Sequence, residues 1–143
     1  MTHPFKILGV EHIGLAPKES QVLCQFLGKM LGLKFTNEEL VPSQQTRTYF
    51  FESGSNSSHL EVLEASEPGL GPIASFLAKK GAGIHHIALR VDNLLAALSF
   101  LEAQGVELID KQPRPGAHAS KVAFIHPRAC GGVLLELVEL NGE

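Results

Sequence analysis

Glu11-His12-Ile13-Gly14-Leu15-Ala16 returns later in the chain as His85-His86-Ile87-Ala88-Leu89-Arg90. Each copy is followed by a second echo, Leu60-Glu61-Val62-Leu63-Glu64 and then Leu135-Glu136-Leu137-Val138-Glu139. Seventy-four positions separate His12 from His86, and 75 separate Glu61 from Glu136. A repeat that carries one histidine and one carboxylate per copy, each on a strand-like apolar run, duplicates a half-site. Two half-sites brought together make a metal centre. The repeat therefore points to the architecture, two copies of one module, and to the chemistry.

Working outward, Ile7 to Ala16 reads as a strand. Ser20 to Leu31 places apolar residues at 22, 23, 26, 27, 30 and 31, a helical spacing, and Gly32 closes it as a C-cap. Strands follow over 33–38, 46–52 and 58–65, the last two joined by the turn-rich Ser53-Gly54-Ser55-Asn56-Ser57. The second copy predicts a strand over 83–91, a helix over 94–104 closed by Gly105, and strands over 106–111, 121–126 and 133–140. Each half is β-α-β-β-β. The connector carries a short helix around Pro72 to Lys80. The expected fold is α+β in one domain, residues 1–143, with module 1 at 7–65, connector 66–82 and module 2 at 83–140. About 60 residues per half is too few for a comfortable separate core, so the halves are expected to close on each other.

Composition narrows the partners. Hydrophobic residues at 44% and charged residues at 19% are ordinary for a soluble globular protein. A net charge of −3 gives no reason to expect nucleic acid, while local basic clusters still permit an anionic ligand. Cys24 and Cys130 form no CxxC pair, which fits a reduced, cytoplasmic protein. Cys24, among Val22, Leu23, Phe26 and Leu27, is expected to be buried. No apolar run is long enough for a bilayer, and the start has no signal-like apolar region, so no membrane partner is expected.

Strand alternation assigns the faces. His12 shares its face with Val10, Gly14 and Ala16, and His86 shares its face with Ala88 and Arg90. Ile13, Leu15, Ile87 and Leu89 point the other way, toward the helices. Small residues beside each imidazole leave open volume. Glu61 and Glu136 sit inside apolar runs, where a carboxylate is costly to bury without a cation or hydrogen bonds. Their matched positions argue for a cation. Two imidazoles and two carboxylates suit a divalent ion such as Co, Ni, Zn, Mn or Fe. Such an ion acts as a Lewis acid on an oxygen beside an acidic C–H and stabilises the enolate charge. His59, His118 and His126 lack repeat partners and read as surface or loop histidines. Glu64 and Glu139 match across the repeat, yet each lies at a strand end and reads as a solvated carboxylate.

These motifs resemble the methylmalonyl-CoA epimerase family of the vicinal oxygen chelate (glyoxalase/bleomycin-resistance) superfamily. The resemblance rests on Gly81-Ala82-Gly83-Ile84-His85-His86-Ile87-Ala88, Pro113-Arg114-Pro115-Gly116-Ala117-His118, Phe124-Ile125-His126-Pro127 and Gly131-Gly132-Val133-Leu134-Leu135-Glu136-Leu137. Ser75-Phe76-Leu77 and Leu108-Ile109-Asp110 add weaker support. It spans roughly residues 7 to 140 and implies two paired βαβββ modules forming a curved, mostly antiparallel sheet around a metal-binding cavity. By motif position the metal residues fall on His12, Glu61, His86 and Glu136, with cobalt preferred among Co, Ni, Zn, Mn and Mg. The chain departs from the family at Pro42 to Thr48, which lacks the Glu-Gln-Gly-Val run, and near Thr48, where some bacterial relatives carry a glutamate proposed as a base. Ala119 stands where Gly usually follows Gly-Ala-His.

The resemblance implies an isomerase interconverting (R)- and (S)-methylmalonyl-CoA by proton exchange at C2, with an acyl-CoA thioester as partner and a homodimer as the assembly. Proton transfer across a planar intermediate needs a base on each face. Glu136 is the expected principal base, and Glu61 the second base or a plain ligand. Gly116, Ala117, His118 and Lys121 are expected to cover the substrate carboxylate or thioester. Lys79, Lys80, Arg114 and Arg128 read as solvated, with CoA phosphates the less favoured role. The rival activities are a glyoxalase I acting on a glutathione hemithioacetal and a non-catalytic antibiotic-binding module. The Pro113–His118 and Phe124–Pro127 motifs favour the epimerase over the first, and retention of all four ligands argues against the second.

Overall fold

The computed structural model describes residues 2–54 and 58–141, so Ser55, Asn56 and Ser57 of the expected turn lie outside the described residues. The chain divides into two compact units, His12–His85 and Met1–Glu11 with His86–Glu143.

Strands β2 (Phe35–Val41), β3 (Thr46–Glu52) and β4 (His59–Ala65) lie in the His12–His85 unit with β1 (Ile7–Ala16), which enters it from His12 on, in the order β2-β3-β4-β1. β1 runs parallel to β4 and the other neighbours are antiparallel. The β1–β4 register sets His12 opposite His59 and Gly14 opposite Glu61. β2 begins and ends later than the expected 33–38, because its ladder with β3 runs on to Val41 opposite Thr46. The chain then reverses through Pro42–Gln44, with Gln45 at φ 51°.

The helix expected over 20–31 is α-helical only at α1 (Ser20–Gln25) and continues as a π-helical stretch over Phe26–Met30. The Leu31 N–H reaches the Phe26 carbonyl at 3.1 Å, the five-residue step of a π turn. Gly32, at φ 74°, ends it as expected, and the Leu33 N–H turns back to the Leu27 carbonyl. Leu27 packs with Tyr49, Phe51 and Val62, while helix α2 (Gly71–Lys80) sends Ile73 against Ala16 and Leu63.

In the second unit, β5 (Gly83–Val91), β6 (Arg114–Pro115), β7 (Lys121–Ile125) and β8 (Leu135–Glu139) take the order β5-β8-β7-β6. β5 and β8 are parallel and the rest antiparallel. Helix α3 (Leu94–Ala103) buries Leu94, Ala97 and Leu98 against Val91, Ala123, Ile125 and Leu137. Residues 2–11 belong to this unit. Lys6 N–H donates to Asp92 Oδ1 at 2.7 Å, Asp92 N–H donates to the Lys6 carbonyl at 3.2 Å, and Phe5 packs on the core.

The strand expected over 106–111 does not form. It keeps one bridge, Leu108 to Ile125. The Asp110 carboxylate accepts the Phe124 N–H at 2.8 Å, a donor that a neighbouring strand would otherwise use, and both the Ile109 and Asp110 N–H groups converge on the Phe124 carbonyl. Pro113 and Pro115 have no N–H to give. The pairing resumes only as the short β6.

Glu64 and Glu139 stand at strand ends and are only partly solvated, the Glu64 side chain at 38% exposure. Each holds the first residue of its own module's helix. Ser20 Oγ donates to Glu64 Oε1, and the Leu94 N–H donates to Glu139 Oε1 at 2.8 Å. Tyr49 also donates to Glu64, and Asn93 caps the Ala96 N–H. Ser20 and Leu94 are 74 positions apart, so the repeat includes this tie. Glu139→Ala leaves the Leu94 N–H without its carboxylate and is expected to lower stability by about 1–2 kcal/mol. Glu139→Gln, which keeps an acceptor, should lose less, as read from urea unfolding midpoints.

Candidate metal centre

Each unit contains one of the repeated His/Glu pairs. In His12–His85, His12 and Glu61 are buried, and His12 Nδ1 lies 3.0 Å from Glu61 Oε2. β1 and β4 are neighbours in parallel register, and Gly14 opposite Glu61 has no side chain to fill the space beside the carboxylate. His59 joins them. Its Nε2 lies 2.8 Å from the same Oε2, and its ring packs on His12 and Phe50 at centroid distances of 5.3 and 5.7 Å. This corrects the reading of His59 as a surface or loop histidine. It opens β4 two residues before Glu61, so alternation puts both on one face. The repeat itself gives no sign of this role, because the matching position is Leu134.

In the second unit His86 and Glu136 are both buried, with His86 Nε2 3.0 Å from Glu136 Oε1. β5 and β8 set Ala88 opposite Glu136. Phe124 stands edge-on to the His86 ring at 5.5 Å. The pairs are thus chemically matched and geometrically different. His12 turns Nδ1 to its carboxylate, His86 turns Nε2, and Glu61 meets two imidazoles from its own unit.

Burial pushes the Glu61 carboxyl upward, but the charge of His12 and the hydrogen bonds from His12 and His59 outweigh it. The net effect holds the carboxyl far below the usual carboxylate range. Such a group is a weak proton acceptor and a ready ligand. Donor atoms of His12, His59 and Glu61 lie within 4.8 Å of one another, close enough to share an ion. Imidazole nitrogen with carboxylate oxygen suits a borderline divalent metal, so the residues in both pairs fit the expected ion.

The loop over 113–121 departs in part from expectation. Gly116 N–H already donates to the Ser120 carbonyl at 3.0 Å, and Ser120 N–H to that of Ala117, so the Gly116 N–H is not free for an anion. His118 and Ala119 both adopt left-handed backbone, at φ 55° and 58°. A glycine would take that conformation without the strain that Ala119 bears. Lys121 and Arg114 line a cleft of about 720 Å³ beside Asn93 and Glu139 at the start of α3; Gly116, Ala117 and His118 are not among its lining residues. The Arg114 guanidinium lies 5.5 Å from the Phe124 ring, and its Nε is 3.4 Å from Asp110. Arg128 is exposed and forms a two-point ion pair with Glu107, which lowers the carboxyl and raises the guanidinium.

Cys24 is half-buried rather than buried, with its thiol pushed up by burial and then by Glu64 and Glu38. Cys24 and Cys130 are not joined in a disulfide among the described residues. Thr48 is buried in β3. No helix among the described residues is long and apolar enough to cross a membrane.

The family model for the Glyoxalase/Bleomycin resistance protein/Dioxygenase superfamily matches residues 11–124. The uncharacterized protein YqjC of Bacillus subtilis (strain 168) is 41% identical over 134 residues, 94% of each chain. The solved methylmalonyl-CoA epimerase from Mycobacterium tuberculosis superposes with a TM-score of 0.90 at 32% identity, over 98% of this chain and 93% of that one. A methylmalonyl-CoA epimerase solved in complex with methylmalonyl-CoA and NH4+ superposes with a TM-score of 0.87 at 28% identity, over 96% and 97%.

Two outcomes test this geometry. A Cβ at Gly116 would sit 2.5 Å from Val122 Cγ1 and 2.7 Å from Ser120 Oγ. Gly116→Ala is therefore expected to cost about 1–3 kcal/mol on thermal unfolding. In metal-free protein the depressed Glu61 carboxyl contributes stability that is complete above the unfolded carboxylate value, roughly 4.3. That contribution is lost as pH falls below it toward the folded value. Urea unfolding between pH 6 and pH 3 should show a shallower acid loss for Glu61→Gln than for wild type.

Proposed function

We propose that this chain, which belongs to the glyoxalase/bleomycin resistance protein/dioxygenase superfamily, epimerises methylmalonyl-CoA at C2 with the help of a divalent metal ion. The observation that carries the reading is the pair of buried His/Glu contacts, each at 3.0 Å, on a fold shared with methylmalonyl-CoA epimerases of 28–32% identity. His12, Glu61, His86 and Glu136 are assigned to the ion, with cobalt the first metal to test. A bound divalent ion would draw electron density from the thioester and carboxylate oxygens and so acidify the C2 proton.

The protein's own groups then move the proton. The Glu136 carboxylate takes the proton from C2, a water on the opposite face delivers one to give the other epimer, and Glu136 then passes its proton back to solvent, so that atoms and charge balance. Glu61, with its carboxyl held low by two imidazoles, is suited to the ligand's part more than to the second base's. Lys121 and the loop around His118 are assigned to the anionic end of the substrate, and the complex of a similar protein with methylmalonyl-CoA supports an acyl-CoA in that role here. A cytoplasmic homodimer is the form we assign to the enzyme.

Proton NMR of methylmalonyl-CoA in heavy water tests the assignment. Wild type should exchange the C2 proton, and Glu136→Gln should slow exchange by at least about 100-fold. Near-normal exchange in that variant removes Glu136 as the base. Metal analysis should find a divalent ion whose removal by chelator stops exchange and whose return restores it. Turnover of a glutathione hemithioacetal in place of methylmalonyl-CoA would replace this reading with glyoxalase activity.

A further inference from the structure

His59 breaks the repeat. The residue 75 positions on is Leu134, whose side chain can donate nothing. In the first unit both imidazoles converge on one carboxylate oxygen, His12 Nδ1 at 3.0 Å and His59 Nε2 at 2.8 Å from Glu61 Oε2, and neither contact uses Oε1. A carboxylate held by a single hydrogen bond can still swing about its side-chain torsions. Two donors from different strands fix its plane. His59 is itself fixed at the first residue of β4 by the rings of His12 and Phe50.

We infer that His59 is a positioning residue that pins Glu61 through Oε2, so that Oε1 is the oxygen offered to the metal and Glu61 serves as ligand rather than second base. The two carboxylates of the repeat are thereby given different work, since the module that carries Glu136 has Leu134 where the other has an imidazole. The inference rests on the metal reading proposed above and deepens it.

Cobalt titration of metal-free wild type, His59→Leu and His59→Gln tests it, with visible absorption of the bound ion and C2 exchange as readouts. His59→Leu copies the other module's residue and should weaken cobalt binding 10- to 100-fold, the size of effect seen when a ligand's supporting hydrogen bond is removed. His59→Gln, whose amide can still donate to Oε2, should recover most of that affinity. At saturating cobalt all three should share the same absorption bands, because the ligand set is unchanged. Wild-type affinity in His59→Leu, equal weakness in both variants, or a band shift marking His59 as a ligand would each overturn the inference while leaving the metal reading in place. Wild type that binds no cobalt overturns the metal reading and this inference together. If His59→Leu does not fold, His59→Asn takes its place: one methylene shorter than Gln, it should lose the affinity that Gln keeps.

Discussion

Two carboxylates sit inside apolar strands with almost no exposure, Glu61 at 7% and Glu136 at 3%. An ionised carboxylate in such a place is tolerated only with compensating charge and hydrogen bonds. Each carboxylate meets an imidazole at 3.0 Å, supplied by the neighbouring parallel strand in one case and by its equivalent in the other. The small residues opposite them, Gly14 and Ala88, follow from the same demand for room. Strand order inside each unit serves this contact: the parallel β1–β4 and β5–β8 pairs are what bring a histidine from the first strand beside a glutamate from the last.

The same strands carry a second, purely structural use of matched carboxylates. Glu64 and Glu139 lie three residues beyond Glu61 and Glu136 and face their module's helix, where they satisfy the first residue of α1 and of α3. Alternation explains the division: an offset of three sends a side chain to the opposite face. One strand thus offers a carboxylate to the candidate centre on one side and a helix anchor on the other. The repeat is conserved within the chain at both levels, while His59 and Leu134 mark where its copies part.

Much of this was legible in the chain. Nearly equal spacing, 74 and 75 residues, marks His12, His86, Glu61 and Glu136, alternation puts the small residues on the histidine face, and β1, β3 and β5 begin and end where the pattern predicts. The failures have physical causes. The 106–111 strand was lost because Asp110 competes with the ladder for the Phe124 N–H, and side-chain competition leaves no periodic trace. The π stretch over Phe26–Met30 keeps enough helical spacing to pass for α-helix. The anchoring roles of Glu64 and Glu139 leave no sequence signal, because a strand end says nothing about which helix it will meet.

The sequence alone determined the number of modules, the element order in each, the α+β class and the chemical type of the repeated donors, because these depend on periodicity and residue identity. Only the tertiary structure decided which atoms meet. Whether His12 presents Nδ1 and His86 Nε2, whether Glu61 takes one imidazole or two, and whether Gly116 keeps its N–H for a ligand all depend on rotamers and register. Those are set by packing between strands distant in the chain, and no local pattern records them.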